Sequence, residues 1–180
     1  MIPQLVIVCG LSFAGKSTLG KALAQRFQYA EVDVDETKFR LYGARVEDTD
    51  LSQVQWDDIY GETDKEIEGH LRSGISVVDA SRNFRKSERD HIRLIAHNLR
   101  IGVVTIYVNT PESVARERWL ANRKNPSRRD VSDVDFEELV ALMEPPSSEE
   151  GYLLFDYQDD LANWASNFAE EQKSRSGIRS

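Results

Sequence analysis

The stretch Gly10–Thr18 constrains the fold of this chain more than any other. Gly10-Leu-Ser-Phe-Ala-Gly15-Lys16-Ser17 fills every fixed position of the pattern G-x-x-x-x-G-K-[ST], and Thr18 follows. An apolar run, Leu5–Cys9, leads into it, and a segment with Leu19, Leu23 and Phe27 at helical spacing leads out. Strand, glycine-bearing turn and helix, in that order, form the context this pattern needs. Glycine at positions 10 and 15 tolerates backbone angles and close approaches that a side chain would block, so successive amides through Ser12, Phe13 and Ala14 can converge on phosphate oxygens. Lys16 would reach the β and γ oxygens, the Ser17 hydroxyl would ligate Mg²⁺ with Thr18 beside it, and the helix N-terminus adds positive potential. The expected ligand is ATP or GTP with Mg²⁺. The sequence contains no N-K-x-D guanine-reading motif, which favours ATP.

Beyond this loop, apolar runs alternate with segments of helical period. Strands are expected at Leu5–Cys9, Tyr29–Val34, Ile75–Asp79, Val103–Val108 and Tyr152–Phe155. Their β-branched, near-continuous character suits strands covered on both faces. Trp56, Ile59, Tyr60, Thr63, Ile67 and Leu71 trace one helical stripe, and His91, Ile95 and Leu99 trace another. Thr110-Pro111 reads as a helix N-cap with a first-turn proline, opening a helix to about Asn122. The pattern predicts an α/β domain over residues 1–171, a five-stranded parallel sheet with helices on both faces. A frayed tail is expected over 172–180, where Ser, Arg, Lys and Gly gather.

Charge restricts the partners. With 31 acidic against 23 basic residues, long-range attraction to nucleic acid or an anionic membrane is disfavoured, so any anion must be captured locally. No apolar run approaches the roughly 20 residues of a bilayer span, and a single cysteine, Cys9, makes no internal bridge. A reducing, cytoplasmic setting is expected. Against the acidic background, Arg123, Lys124, Arg128 and Arg129 cluster in a polar segment at about 123–133, read either as a solvated loop or as a short basic lid.

Three further groups of residues point to phosphoryl-transfer chemistry. Asp33 and Asp35, two apart on the second strand, would emerge at the carboxyl edge if that strand neighboured the first. One could then hold a metal-bound water and the other accept a proton from an attacking hydroxyl; the alternative is a helix cap. Asp79, ending the third strand, has the apolar-run-then-acid placement of a carboxylate that touches Mg²⁺ through water, and Arg82, Asn83 and Arg85 follow it at the same edge, where they could meet substrate. Arg116 and Arg123, seven residues apart, share a helix face and can aim two guanidiniums at one nucleotide. Arg118 lies off that face, and Arg128 or Arg129 could replace Arg123. Trp56, Tyr60, Trp119 and Trp164 fit helical stripes and read first as core.

Taken together, the phosphate loop, the D-x-D-E segment, VVDASRN, RERWLANR and the basic lid resemble the small P-loop kinases of the polynucleotide kinase, chloramphenicol phosphotransferase, gluconate kinase and shikimate kinase group, and the bacterial AAA-type ATP-binding proteins classed with them. The likeness runs from about Leu5 to Phe168. It implies a three-layer P-loop NTPase fold and a kinase using ATP and Mg²⁺ on a hydroxyl of a small polar molecule. It also implies Asp35 as base, Asp33 as metal-water holder, Arg123 as lid arginine, Lys38 beside the acceptor, Trp56 and Tyr60 on the segment that covers it, and Gln158–Asp160 near the adenine. Lys38 stands where polynucleotide kinases carry an arginine, and the triple glycine of shikimate kinase is missing at Asp79–Arg82. A 5′-hydroxyl nucleic-acid kinase would require Lys38, Arg82 and Arg85 to form one positive patch. A nucleotide-dependent switch needs only the phosphate loop and would be favoured by an Asp35 buried against a helix end instead of facing an open cleft.

Overall fold

In a computed structural model of the protein, residues 3–126 and 129–177 are described. Five parallel strands form one sheet in the order β2-β3-β1-β4-β5: β1 Gln4–Cys9, β2 Ala30–Val32, β3 Val77–Asp79, β4 Gly102–Asn109 and β5 Leu153–Asp156. The central strand is the most apolar, and Leu5, Val6, Ile7, Val8 and Cys9 are all fully buried. Alternate β1 side chains serve opposite faces. Val6 and Val8 join Leu19 and Leu23 of α1 (Lys16–Phe27) and Phe168 of α7 (Leu161–Gly177). Leu5 and Ile7 join Ile67 and Leu71 of α3 (Gln53–Arg72) and Ile92 of α4 (Lys86–Asn98). Two apolar layers therefore sandwich the sheet.

The remaining helices frame the carboxyl edge: α2 Val34–Tyr42, α5 Glu112–Lys124 and α6 Asp133–Leu142, with a 3-10 turn at Asp48–Asp50. A third cluster, Phe13 with Trp119 and Phe136, ties the phosphate loop to α5 and α6. Trp119 and Phe136 stack at 4.3 Å between ring centroids, and Phe13 lies 6.3 Å from Phe136.

Three expectations need correction. β2 does not lie beside β1: β3 takes that place, and β2 becomes an edge strand paired with β3. The second strand also ends before the acidic pair, because Asp33 caps α2 by accepting the Asp35 amide at 2.8 Å. Thr110 does not cap α5. Pro111 occupies that position, and the Thr110 hydroxyl instead donates to the Ala14 carbonyl at 2.9 Å. The closing helix α7 runs to Gly177. Residues 178–180 and Arg128 lie outside the described residues.

Candidate active site

At the carboxyl edge of the sheet, where β1 passes into α1, a cavity of about 980 Å³ opens. Its floor is the loop from Leu11 to Thr18. Gly10 enters this loop at φ 147°, and a Cβ there would stand 2.7 Å from the Val108 carbonyl oxygen, so the first glycine is demanded by contact with β4. Gly15, at φ 111°, turns the chain into α1. The Lys16 ammonium donates to the Gly10 and Leu11 carbonyls at 2.9 and 3.0 Å and lies 4.4 Å from the Phe84 ring centroid. Lys16 thus braces the loop from inside. The Ala14 carbonyl receives two donors, Thr110 Oγ1 and Arg118 Nη1, each at 2.9 Å. Ser12, Phe13, Ala14, Gly15, Ser17 and Thr18 all line the cavity.

Asp33 and Asp35 line the same cavity from the first turn of α2. Asp35 is half exposed, with one carboxylate oxygen 2.6 Å from Lys38 Nζ. Lys38 itself is 1% exposed and is held from its other side by Asp48 at 2.7 Å. Burial alone would lower the Lys38 pKa, but the two carboxylates more than offset it and raise the value. Lys38 therefore fixes Asp35 in place and is closed to an incoming ligand. Burial pushes the Asp33 carboxyl above its usual range; the Asp35 amide opposes this, while the Asp35, Glu36 and Asp79 carboxylates add to it. A divalent cation would relieve that repulsion.

The other sequence candidates occupy different positions. Asp79 is fully buried behind the cavity, accepting from Ser81 at 3.1 Å, Asn83 at 3.2 Å and Arg82 at 3.4 Å. Asn83 is likewise fully buried, with its amide given to Asp79, and it does not line the cavity. Arg82 is buried between Asp64, at 2.6 Å, and Asp79. Arg85 is exposed at the start of α4. Lys38, Arg82 and Arg85 form no continuous basic patch.

The arginines also sort differently from the helix-face argument. Arg116 does not line the cavity and is paired with Glu112 at 2.7 Å and Glu137 at 2.5 Å. Arg123 folds back on Asp130, at 3.1 Å, and Asp133, at 2.6 Å, stapling the start of the proposed lid. Arg118 and Arg129 line the cavity instead. Arg129 reaches the Val46 carbonyl at 2.6 Å and Glu47 at 2.5 Å, and its Nη1 is buried without a hydrogen-bond partner among the described residues. The missed signal was spacing: Arg118, Asn122 and Asn125 recur at i, i+4 and i+7, and all three line the cavity. Phe155 of β5, with Tyr157 and Leu161 beyond it, completes the wall, the latter two flanking Gln158–Asp160.

A parallel sheet in this order, with a glycine- and lysine-bearing loop closing its central strand over a cleft, defines the P-loop kinase fold. Solved structures agree. A Chloroflexus aurantiacus J-10-fl protein, provisionally assigned as a kinase, aligns over 96% of this chain and 97% of its own, with a TM-score of 0.75 and 22% identity. Chaetomium thermophilum Kti12, solved in complex with ADP-AlF3, aligns over 92% and 97%, with a TM-score of 0.72 and 20% identity. A gluconokinase from Sinorhizobium meliloti 1021 aligns over 97% and 98%, with a TM-score of 0.63 and 21% identity. The family follows from sequence: residues 5–146 match the AAA domain family model, and the chain belongs to that family. No functionally curated protein matches it in sequence.

Proposed function

We propose that the protein is an ATP-dependent kinase that transfers the γ-phosphoryl group to a hydroxyl of a small polar molecule. The observation that carries this reading is that Asp35, half exposed and fixed by Lys38, faces the same cavity as Lys16 and Ser17. A protein that only switches on nucleotide needs no such carboxylate in an open cleft. The absence of a basic patch at Lys38, Arg82 and Arg85 argues against a nucleic-acid end as acceptor. Kti12 with ADP-AlF3 and gluconokinase, on the same fold, accord with nucleotide binding and a small acceptor.

In this mechanism the triphosphate lies along the 10–18 amides, and Lys16 exchanges the Gly10 and Leu11 carbonyls for β and γ oxygens. The acceptor hydroxyl approaches Asp35. Its oxygen bonds to the γ phosphorus as the bond from that phosphorus to the β,γ-bridging oxygen breaks, the proton passes to the Asp35 carboxylate, and ADP leaves. Arg118 and Arg129 supply donors where charge spreads over the transferred group, and the unpartnered Nη1 of Arg129 would be satisfied by a phosphate oxygen.

The residues present fit Mg²⁺. Among the described residues no group of three or more His, Cys, Asp or Glu side chains forms a metal cage, and Mg²⁺ typically takes one or two protein oxygens together with water and phosphate. Ser17 would ligate it directly, and Asp33 would hold one of its waters; Asp79 lies behind, occupied by its own partners. When bound, the ion neutralises phosphate charge.

Asp35→Asn tests the reading. ADP release stimulated by an acceptor should fall by about 10²-fold or more, with nucleotide affinity nearly unchanged by titration. Undiminished turnover removes Asp35 from the chemistry.

A further inference from the structure

Arg129 lines the cavity from the segment ahead of α6, yet the partners it holds belong to the connection between α2 and α3. Its Nη2 donates to the Val46 carbonyl at 2.6 Å and lies 2.5 Å from the Glu47 carboxylate. The next residue, Asp48, holds Lys38 at 2.7 Å, and Lys38 holds Asp35 at 2.6 Å. A line of charge therefore runs from Arg129 through this turn to the proposed base. The Phe39 ring is shared by its two cations, 5.3 Å from the Arg129 guanidinium and 4.8 Å from the Lys38 ammonium.

These charged contacts matter because little else fixes the connection. No residue from 43 to 52 is buried, and only Val46 and Leu51 are partly so. Its backbone bonds are short-range: Val46 to Gly43, Asp50 to Glu47 and Leu51 to Asp48. A segment of this make-up opens at low free energy and exchanges its amides readily. What holds Val46 and Glu47 therefore also holds Asp48.

The Arg129 guanidinium is only half used. Its Nη1 is buried and has no hydrogen-bond partner among the described residues, although the side chain lines the cavity. A charged donor shut off from water without an acceptor is unfavourable, and the γ-phosphoryl group carries the oxygens that would satisfy it. Because the guanidinium is planar and rigid, an oxygen bound at Nη1 also fixes the direction of Nη2. ADP lacks the group that would do this.

We propose that Arg129, besides serving the transferred group, positions the base: a γ oxygen on Nη1 locks Nη2 onto Val46 and Glu47, and Asp48, Lys38 and Asp35 are held in register behind them. The connection at 43–52 is thereby tight with ATP and loose with ADP. This rests on the kinase reading above and adds an order of events to it: the proton acceptor is set only once a triphosphate is in place.

Hydrogen exchange of the full chain, read by mass spectrometry over residues 43–52, tests this with Mg²⁺ and saturating AMP-PNP or ADP. Exchange should be roughly fivefold slower with AMP-PNP than with ADP, the worth of a partly exposed charged contact. Arg129→Lys keeps the charge but not the fork, and Glu47→Gln alters a residue outside the cavity wall. Either change should bring the two rates to within about twofold of each other. Both side chains reach the surface, 33% and 64% exposed, so both variants should fold. A merely structural role would speed exchange equally with the two nucleotides and leave their ratio untouched. That result, or equal exchange with both nucleotides in the unaltered protein, overturns the inference. Each nucleotide is titrated beforehand, and AMP-PNP that fails to bind the unaltered protein would instead sink the kinase reading beneath it.

Discussion

Glu150, on the segment before β5, should contribute measurably to stability, and its contribution should vanish in acid. Its carboxylate receives Arg89 Nε and Nη2 at 3.0 and 2.9 Å, and Arg93 Nη1 lies 2.8 Å away. Arg89 is fully buried and also donates to the Asn83 and Phe84 carbonyls, each at 3.2 Å. Burial alone would raise the Glu150 carboxyl, but hydrogen bonds from Arg89, Arg93 and the Ser147 amide bring it down from 4.5 to about 2. At about 1.4 kcal/mol per pH unit of difference, that contributes about 3 kcal/mol to folding. The sign follows from the depressed value: the contribution is complete above pH 4.5 and is lost as pH falls through that value toward 2. Glu150→Gln, which leaves Arg89 buried without its counter-charge, should cost about 3 kcal/mol at pH 7. For a chain of this size that lowers Tm by roughly 6–12 °C. Urea denaturation of both proteins at pH 7 and pH 3 measures it, and the two curves should draw together at the lower pH. A deficit under about 1 kcal/mol at pH 7, or one that persists unchanged at pH 3, would refute the argument.

Three further outcomes follow from the cavity. Lys16→Ala should weaken ATP binding or slow turnover by about 10²-fold or more, read by nucleotide titration and by ADP release; an unchanged titration would defeat the phosphate-loop assignment. Arg118→Ala should lower kcat/KM for ATP by roughly 10- to 100-fold, while Arg123→Ala, which loosens only Asp130 and Asp133, should change it by less than about threefold; the reverse order would restore Arg123 as the phosphate ligand. Gly10→Ala should destabilise the fold by about 2 kcal/mol or more, because the new Cβ meets the Val108 carbonyl. Equal Tm values would show that β4 yields at that point.

Much of this architecture was legible in the chain. The five apolar runs became strands, and the loop at 10–18 reached a cleft, because both signals are local. Placement across the sheet was less accessible. Ala30-Glu31-Val32 carries a charge in the middle of a short strand, which suits an edge, whereas Val77-Val78 is apolar on both faces and takes the position beside β1. Asp33 read as a strand residue, yet an aspartate ahead of an acidic first turn is also an N-cap signal, and the cap prevailed. Arg116 and Arg123 shared a face, but pairing partners at Glu112, Asp130, Asp133 and Glu137 drew that face outward. Contacts between distant segments, such as Arg129 with Glu47, leave no periodic trace in a sequence.

The position of β2 at the rim has a consequence for diversification. Asp35, proposed to take the acceptor's proton, is carried by chain that departs from this outermost strand and returns to the sheet only at β3. The phosphate-gripping loop is rooted instead in the middle of the sheet and braced by Thr110 after β4, by α5 and by α6. Such a layout lets one portion be rewritten for a new hydroxyl compound while the portion holding the phosphate donor is left as it stands.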